Sequence, residues 1–106
     1  MEHVSFEVAK AIKEAGYPQE SDKVYLPDGV FCNYISHFIN YYAAPTYYDV
    51  WLWIKREKDI KIVFDYYTQT CTIYINDIRK ETFNFSRPME SIKDAIEYLV
   101  NKNLLK

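Results

Sequence analysis

Apolar and polar positions along the chain follow a pattern that separates helical from extended segments. Val4–Ala15 carries apolar residues at helical spacing and is followed by Gly16, so it predicts a first helix. Lys23–Leu26 and Val30–Cys32 predict two short strands, because a Pro-Asp-Gly turn signal separates them. The first third of the chain is therefore predicted to be a helix followed by a β-hairpin.

The middle of the chain contains one ambiguous segment and one well-marked helix. Asn33–Tyr42 combines helical spacing of its aromatic residues with high strand propensity, and predicts either a short helix or an irregular aromatic segment. Tyr47–Glu57 predicts a helix, because Thr46 is a good N-cap and Asp49 stands three residues later, as in a capping box.

Alternation with a period of two follows this helix. Ile60–Tyr67 places Ile, Ile, Phe and Tyr on one face, and Cys71–Asn76 repeats the alternation after a short Thr68–Thr70 connection. Thr82–Phe85 predicts a third strand beyond a polar Asn76–Lys80 turn. Together these segments predict an antiparallel β-meander with one buried face.

The C-terminal segment predicts a closing helix that opens near Ser86–Pro88, where a proline is tolerated in the first turn. Its apolar stripe consists of Met89, Ile92, Ala95, Ile96, Leu99 and Val100. The order of elements predicts an α+β fold in which helices pack on one face of an antiparallel meander. At 106 residues, the chain is predicted to form one compact domain over residues 1–106.

Aromatic residues are concentrated around the central helix, and they make up 18% of the whole sequence. Trp51 and Trp53 lie about 200° apart around a helix, so they cannot share one pocket. Trp51 extends the apolar stripe of Val50 and Ile54 and is predicted to lie in the core. Trp53 and Tyr48 then fall on another face of the helix, and another part of the chain or a partner must cover their apolar surface.

That second face predicts a protein–protein interaction surface, since exposed Trp and Tyr are enriched at interface centres. The predicted surface consists of Phe38, Tyr41, Tyr42, Tyr48 and Trp53. Its partner is either an unidentified protein or a second copy of the chain in a homodimer. The alternative is that the domain buries these rings itself, with the Asn33–Tyr42 segment as the cover.

Short motifs in the second half of the chain resemble those of a known group. Ala43–Lys55 contains A-A-P-T followed by a helix with W-L-W-I-K, and residues 91–99 read S-I-K-D-A-I-E-Y-L. With the meander, they resemble small uncharacterised proteins encoded by phages, prophages and mobile elements of gut bacteria, Bacteroidetes especially. The spacing of Trp53 and Ile54 departs from that group. The resemblance implies a mobile-element accessory protein and no catalytic residues.

Charge argues against nucleic acid as the main partner, because the formal net charge is −2 and nucleic-acid binders usually carry a basic excess. Nucleic-acid binding is nevertheless the alternative function, through a local basic cluster and two tyrosines on the outer face of the predicted sheet that could stack on bases. The candidate contacts are Lys55, Arg56, Lys58, Lys61, Tyr67 and Tyr74.

Candidate chemistry is sparse. Cys32 and His37 are five residues apart, but no third group marks them as a nucleophile and its base. His3, His37, Cys32 and Cys71 show no paired metal-ligand spacing, and there is no glycine-rich phosphate loop. We therefore predict a non-enzymatic protein without catalytic, cofactor or metal sites. No apolar run approaches ~18 residues, so we predict a cytoplasmic protein that does not contact membranes.

Overall fold

Three helices and six strands form in the part of the chain that the computed structural model describes, residues 2–85 and 87–105. The helices are α1 (Phe6–Glu14), α2 (Tyr47–Glu57) and α3 (Pro88–Asn101). The strands are β1 (Lys23–Tyr25), β2 (Phe31–Asn33), β3 (Tyr42–Ala43), β4 (Ile60–Asp65), β5 (Thr70–Ile75) and β6 (Ile78–Asn84). They form two antiparallel sheets, in the orders β2-β1-β3 and β4-β5-β6.

The larger sheet is the predicted meander. Ile62 and Ile73 oppose each other on β4 and β5 and are both buried, whereas Val63, one residue along, is 47% exposed on the other face. Helices α2 and α3 pack against this sheet, and their buried residues join its inner face in one hydrophobic core. The predicted α+β fold, with helices on one face of an antiparallel meander, is confirmed.

The turn between β5 and β6 is tighter than predicted. Asn76 and Asp77 have φ values of 53° and 65°, the two left-handed positions of a two-residue type I′ hairpin turn. Strand β6 therefore begins at Ile78, and the predicted Asn76–Lys80 turn and the Thr82 strand start are wrong. A shift in pairing register after Ile73 accommodates the extra residue in β6.

The smaller sheet contains a strand that the sequence pattern did not indicate. Val24, at the centre of β1, pairs with Cys32 on one side and with Ala43 on the other. The Ala44 N–H donates to the Lys23 carbonyl at 2.9 Å and extends this pairing. Residues 34–41 are irregular, so of the two predictions for Asn33–Tyr42 the irregular segment is right and the helix is wrong.

Helix α1 begins two residues later than predicted. The Val4 N–H donates to the Pro45 carbonyl at 2.9 Å, which holds Val4 in extended backbone next to the start of α2. Ser5 is the N-cap, and its hydroxyl accepts a hydrogen bond from the Val8 N–H at 3.2 Å. Gly16 follows the helix with a φ of 99°, a left-handed conformation that favours glycine at a helix C-terminus.

Helix α2 has the predicted bounds and the predicted capping box. The Thr46 hydroxyl accepts from the Asp49 N–H, and the Asp49 carboxylate accepts from the Thr46 N–H, each at 3.2 Å. The side chain that completes its buried face is Trp53, which is 4% exposed, whereas Trp51 is only partly buried. Trp51 packs against the edge of the core, and Trp53 lies within it. The predicted exposure of Trp53 is therefore wrong, and the alternative, in which the domain buries this ring itself, is right.

Helical geometry explains why the spacing did not identify the buried tryptophan. At 100° per residue, Trp51 lies about 70° to one side of the stripe formed by Tyr47, Val50 and Ile54, and Trp53 lies about 90° to the other side. Both tryptophans flank the stripe, so burial depends on what packs against each flank. Tyr17 from the segment after α1 packs edge-on against Trp53, with ring centroids 5.1 Å apart, and covers it.

Helix α3 carries the predicted apolar stripe on its buried face. Pro88 is the first helical residue, and Arg87 at the N-cap forms no side-chain capping bond. The buried members of the stripe are Ile92, Ala95, Ile96 and Leu99. Ser86, within the predicted start, and the side chain of Met89 lie outside the described part of the chain.

Ser91 is the buried polar side chain of this helix. Its hydroxyl is fully buried and has no hydrogen-bond partner among the described residues. Burial raises the pKa of the Cys71 thiol, and the Ser91 hydroxyl opposes that rise, so the two groups are neighbours. No hydrogen bond joins them, so the Ser91 hydroxyl is unsatisfied within the described part of the chain.

Replacement of Ser91 by Ala is expected to raise the free energy of unfolding by about 1 kcal/mol. The change removes a buried hydroxyl that lacks a partner and introduces the residue with the highest helix propensity. Urea unfolding followed by circular dichroism measures the difference. Ser36→Ala, at an exposed loop position, is the control and should leave stability unchanged. A less stable Ser91→Ala variant would show that the hydroxyl has a partner.

Candidate functional site

A groove of about 870 Å³ lies beside α2. One face of the helix forms one of its walls, because Asp49, Leu52, Trp53 and Arg56 recur at positions i, i+3, i+4 and i+7. This face therefore places an apolar centre between a carboxylate near the start of the helix and a guanidinium near its end.

The opposite wall comes from the segment that follows α1 and from two tyrosines. Tyr17 packs against Trp53 as described above, and the Tyr34 and Tyr41 rings contact each other with centroids 5.1 Å apart. Gln19 ties these parts together: its side chain donates to the Tyr17 carbonyl at 2.9 Å and accepts from the Ala43 N–H at 2.8 Å. The Tyr41 hydroxyl donates to the Gln19 carbonyl at 3.2 Å. The wall is thus hydrogen-bonded to β3.

Lys58 attaches the end of α2 to the end of α1. Its ammonium donates to the Ala15 carbonyl at 2.9 Å and lies 5.1 Å from the centroid of the Trp53 ring. Ala15 is the C-cap of α1, where a cation interacts favourably with the helix dipole. These contacts, together with that of Tyr17, hold the Trp53 side chain in place.

Carboxylates outnumber cations along the groove. Glu20, Asp22 and Asp49 line it, and the lining residue with a permanent positive charge is Arg56. The Arg56 Nε lies 3.3 Å from a Glu57 carboxylate oxygen, so this charge is partly neutralised on the helix itself. Three carboxylates and one guanidinium give these four lining side chains a formal charge of −2.

The pKa of the Tyr17 hydroxyl is raised in this environment. Burial raises its pKa first, the Asp49 charge raises it further, and Arg56 opposes the rise. The pKa of Tyr41 is also raised, by desolvation, by its contact with Tyr34 and by the Glu20 charge. Both shifts move the pKa further above neutral pH, so each phenol keeps its hydroxyl at the groove.

Exposed apolar side chains continue from the groove along the segment before β3. Tyr34 lines the groove and also contacts Phe38, with ring centroids 6.2 Å apart. Ile35 is 47% exposed and Ile39 is 98% exposed in the same segment. The groove and this segment therefore form one surface, which we call the groove–loop surface and define as the groove plus residues 34–41.

The predicted interaction surface is divided by the structure. Phe38 and Tyr41 belong to the groove–loop surface. Tyr42 packs instead against Phe6, with centroids 5.7 Å apart, and Lys13 lies over its ring. Trp53 lies on the groove floor, but its burial beneath Tyr17 contradicts its predicted exposure.

Tyr48 belongs to a different aromatic cluster. Its ring contacts Trp51 at 5.6 Å, and Trp51 contacts Phe64 of β4 at 5.9 Å, so these rings attach α2 to the larger sheet. The cluster continues from Phe64 to Tyr66 and Phe85. Tyr48 is 40% exposed, as expected for a surface position, but it does not line the groove.

Sequence reasoning missed Tyr17, Gln19 and Tyr34, which are needed to build the groove. A signal for Tyr17 was present, because a tyrosine next to a helix-terminating glycine and before a proline is fixed in an extended connection. Nothing in the spacing indicated that this connection would return to α2. The contact is tertiary and follows from how α1 packs.

The predicted basic cluster does not form one patch. Lys55 lies over the Trp51 ring and Lys58 over the Trp53 ring, on different sides of α2. Lys61 pairs with Asp77 at 3.0 Å on the larger sheet. Arg56 lines the groove.

The two predicted stacking tyrosines are also separated. Tyr74 lies on the outer face of the larger sheet, paired in register with Lys61 on one side and Arg79 on the other. Tyr67 lies in the turn between β4 and β5 and is 98% exposed. The prediction that both tyrosines share the sheet face is wrong, because β4 ends at Asp65.

Among the described residues, the remaining titratable side chains show no arrangement typical of an active site. Cys32 lies in β2, and the His37 ring, in the following segment, contacts Phe38 with centroids 5.7 Å apart. Across residues 2–85 and 87–105, no group of three or more His, Cys, Asp or Glu side chains is placed to hold a metal ion. Of the helices described, none has the length and apolar character that crossing a bilayer requires.

Comparison with known proteins finds no matching family model, no similar curated protein and no similar solved structure. Function is therefore inferred from the geometry of this chain.

Proposed function

We propose that this protein is a non-enzymatic interaction module that binds an extended segment of a partner protein along the groove–loop surface. The observation that carries the proposal is the continuity between an aromatic-lined groove of about 870 Å³ and exposed apolar residues beside it. Contiguous exposed apolar surface next to a concave site is characteristic of interaction sites.

A small molecule would cover only part of this surface. It could occupy the groove, but Ile39 would keep its side chain 98% exposed to water. A peptide segment seated in the groove can continue over Ile35 and Ile39 and remove that apolar area from solvent. The extent of the surface thus favours a protein partner.

Preorganisation of the groove also supports binding. Gln19 and Lys58 hydrogen-bond its walls to neighbouring backbone carbonyls, so the aromatic side chains need little ordering when a ligand arrives. Ordering side chains costs about 0.5–1.5 kcal/mol each on association, and a prebuilt site avoids much of that cost.

Selection from a displayed library of random linear peptides tests the proposal. Peptides that bind the wild-type protein are expected to lose binding to Leu52→Asp, which places a charge in the apolar centre of the groove. The control is Val63→Asp, a comparable change on the outer face of the larger sheet, where the side chain is 47% exposed. Melting curves verify that both variants are folded.

Retained binding to Leu52→Asp, or equal loss in both variants, would contradict the proposal. Failure to enrich any peptide would also count against it. If the protein instead elutes from a sizing column as a dimer that Ile39→Asp dissociates, the surface is a self-interface and the peptide proposal is wrong.

Nucleic-acid binding is a second candidate, supported by the cross-strand row of Lys61, Tyr74 and Arg79. Such a row combines phosphate contacts with a ring for stacking. Salt-sensitive retention on immobilised single-stranded DNA that Tyr74→Ala abolishes would support it. The pairing of Lys61 with Asp77 and the negative net charge favour the protein-binding function over this one.

The cellular setting is part of the proposal. Free thiols at Cys32 and Cys71 fit a reducing cytoplasm. An accessory role in a mobile genetic element is supported by the resemblance of Ala43–Lys55 and the closing-helix motif alone.

A further inference from the structure

We infer that the partner segment is basic, with Lys or Arg side chains that lie between the aromatic rings and the carboxylates of the groove. This inference rests on the proposed function and specifies the chemistry of its ligand. It combines the apolar groove with the distribution of charge along its walls.

Among the described residues, the carboxylates that line the groove have no ion-pair partner. Within the part of the chain described, neither Glu20 nor Asp22 forms an ion pair, and both side chains are exposed. Asp49 uses one oxygen to cap α2 but keeps its negative charge. Arg56, the cation on the same wall, is paired with Glu57. A cationic ligand would therefore meet three carboxylates and one partly neutralised guanidinium.

The aromatic walls suit the same ligand. A cation over a ring face is attracted by the ring quadrupole, and the methylene stem of Lys or Arg packs well on apolar surface. This chain already uses that contact: the Lys58 ammonium lies 5.1 Å from the Trp53 centroid, and the Lys13 ammonium 4.8 Å from the Tyr42 centroid. Tyr34 offers a further ring in the groove, whereas the Tyr41 ring already has the Lys13 ammonium 5.9 Å from its centroid.

Acidic ligands are disfavoured by the same arrangement. An acidic peptide or a phosphate backbone in the groove would approach Glu20, Asp22 and Asp49, and like charges brought together in this way are destabilising. The charge of the groove thus discriminates between peptides of similar apolar content.

Binding of fluorescein-labelled synthetic peptides tests the inference. One peptide alternates Lys with Tyr, and two matched peptides replace every Lys with Gln or with Glu. Fluorescence anisotropy is expected to show binding in the order Lys, Gln, Glu. The affinity for the Lys peptide should weaken as salt rises, because exposed charges are screened beyond about 8 Å at physiological ionic strength.

The variant Glu20→Gln/Asp22→Asn removes two groove charges from an exposed segment. It is expected to weaken binding of the Lys peptide by about fivefold, as for the loss of two exposed ion pairs. The matched control Glu81→Gln/Asp94→Asn removes the same net charge from residues that do not line the groove, and should bind like the wild type.

The outcomes distinguish the two proposals. If the three peptides bind equally and Leu52→Asp abolishes all binding, the groove binds peptides but the preference for basic segments is wrong. If the control weakens binding as much as the groove variant, the attraction is only that of net charge, and the inference is again wrong. If Leu52→Asp has no effect on any peptide, the proposed function itself fails.

Discussion

Replacement of Trp53 with Ala is expected to lower the free energy of unfolding by about 3–5 kcal/mol, the range for deleting a large aromatic side chain from a core. Trp53 is 4% exposed and supports the Tyr17 ring on one flank of α2. Its loss leaves a cavity beneath the groove and removes the surface on which Lys58 rests. In a domain whose total stability is about 5–15 kcal/mol, such a loss is severe.

Trp51→Ala is the matched control, because it deletes the same side chain two residues away. Trp51 is only partly buried, and its ring contacts Tyr48 and Phe64 at the edge of the core. We expect a loss of about 1–2 kcal/mol, in proportion to the smaller apolar area removed from water. Urea unfolding of both variants measures the difference. Equal losses, or a larger loss at Trp51, would overturn the assignment of Trp53 to the core.

Replacement of Leu99 with Ala is expected to cost about 2–5 kcal/mol, as for other fully buried leucines. Leu99 is fully buried on α3, which packs against α1, α2 and the larger sheet. Its side chain therefore belongs to the core that joins both halves of the chain. Val100→Ala, at a partly buried position on the same helix, is the control and should cost about 1 kcal/mol or less.

Labelling of the cysteine thiols can test whether this core unfolds as a single cooperative unit. Cys32 lies in the smaller sheet and Cys71, fully buried, in the larger one. In a Cys32→Ser variant, the urea transition measured by thiol labelling of Cys71 should coincide with the transition measured by circular dichroism. Leu99→Ala should shift the midpoints of both transitions by the same amount. If the larger sheet opens separately from the rest, the prediction of one domain over residues 1–106 is wrong.

Local signals in the sequence were reliable where one segment contains all of the interactions that decide its structure. Thr46 and Asp49 complete their capping box within four residues, and the start of α2 follows from it. The period of two in β4 and β5 identifies the buried face, because every second side chain points the same way.

Local signals were insufficient where the deciding partner lies far along the chain. Strand β3 has two residues and exists because Val24 on β1 leaves an edge that Ala43 can pair with. The turn before β6 was missed for a different reason, since its two deciding residues are adjacent. Asn76 and Asp77 both adopt left-handed backbone, which the polar composition of the segment alone did not indicate. The candidate site was only partly foreseen: Phe38, Tyr41 and Trp53 were identified, but not their relation to Tyr17.

The sequence by itself determined the α+β class, the central helix with its caps, and the aromatic richness around that helix. Those properties depend on spacing and on contacts between residues close in sequence. Only the tertiary structure decided which tryptophan is buried and where the groove lies. Trp51 and Trp53 flank the same apolar stripe, and the choice between them is made by Tyr17, more than thirty residues earlier in the chain. That same packing places Glu20 and Asp22 opposite α2 and gives the groove its negative charge.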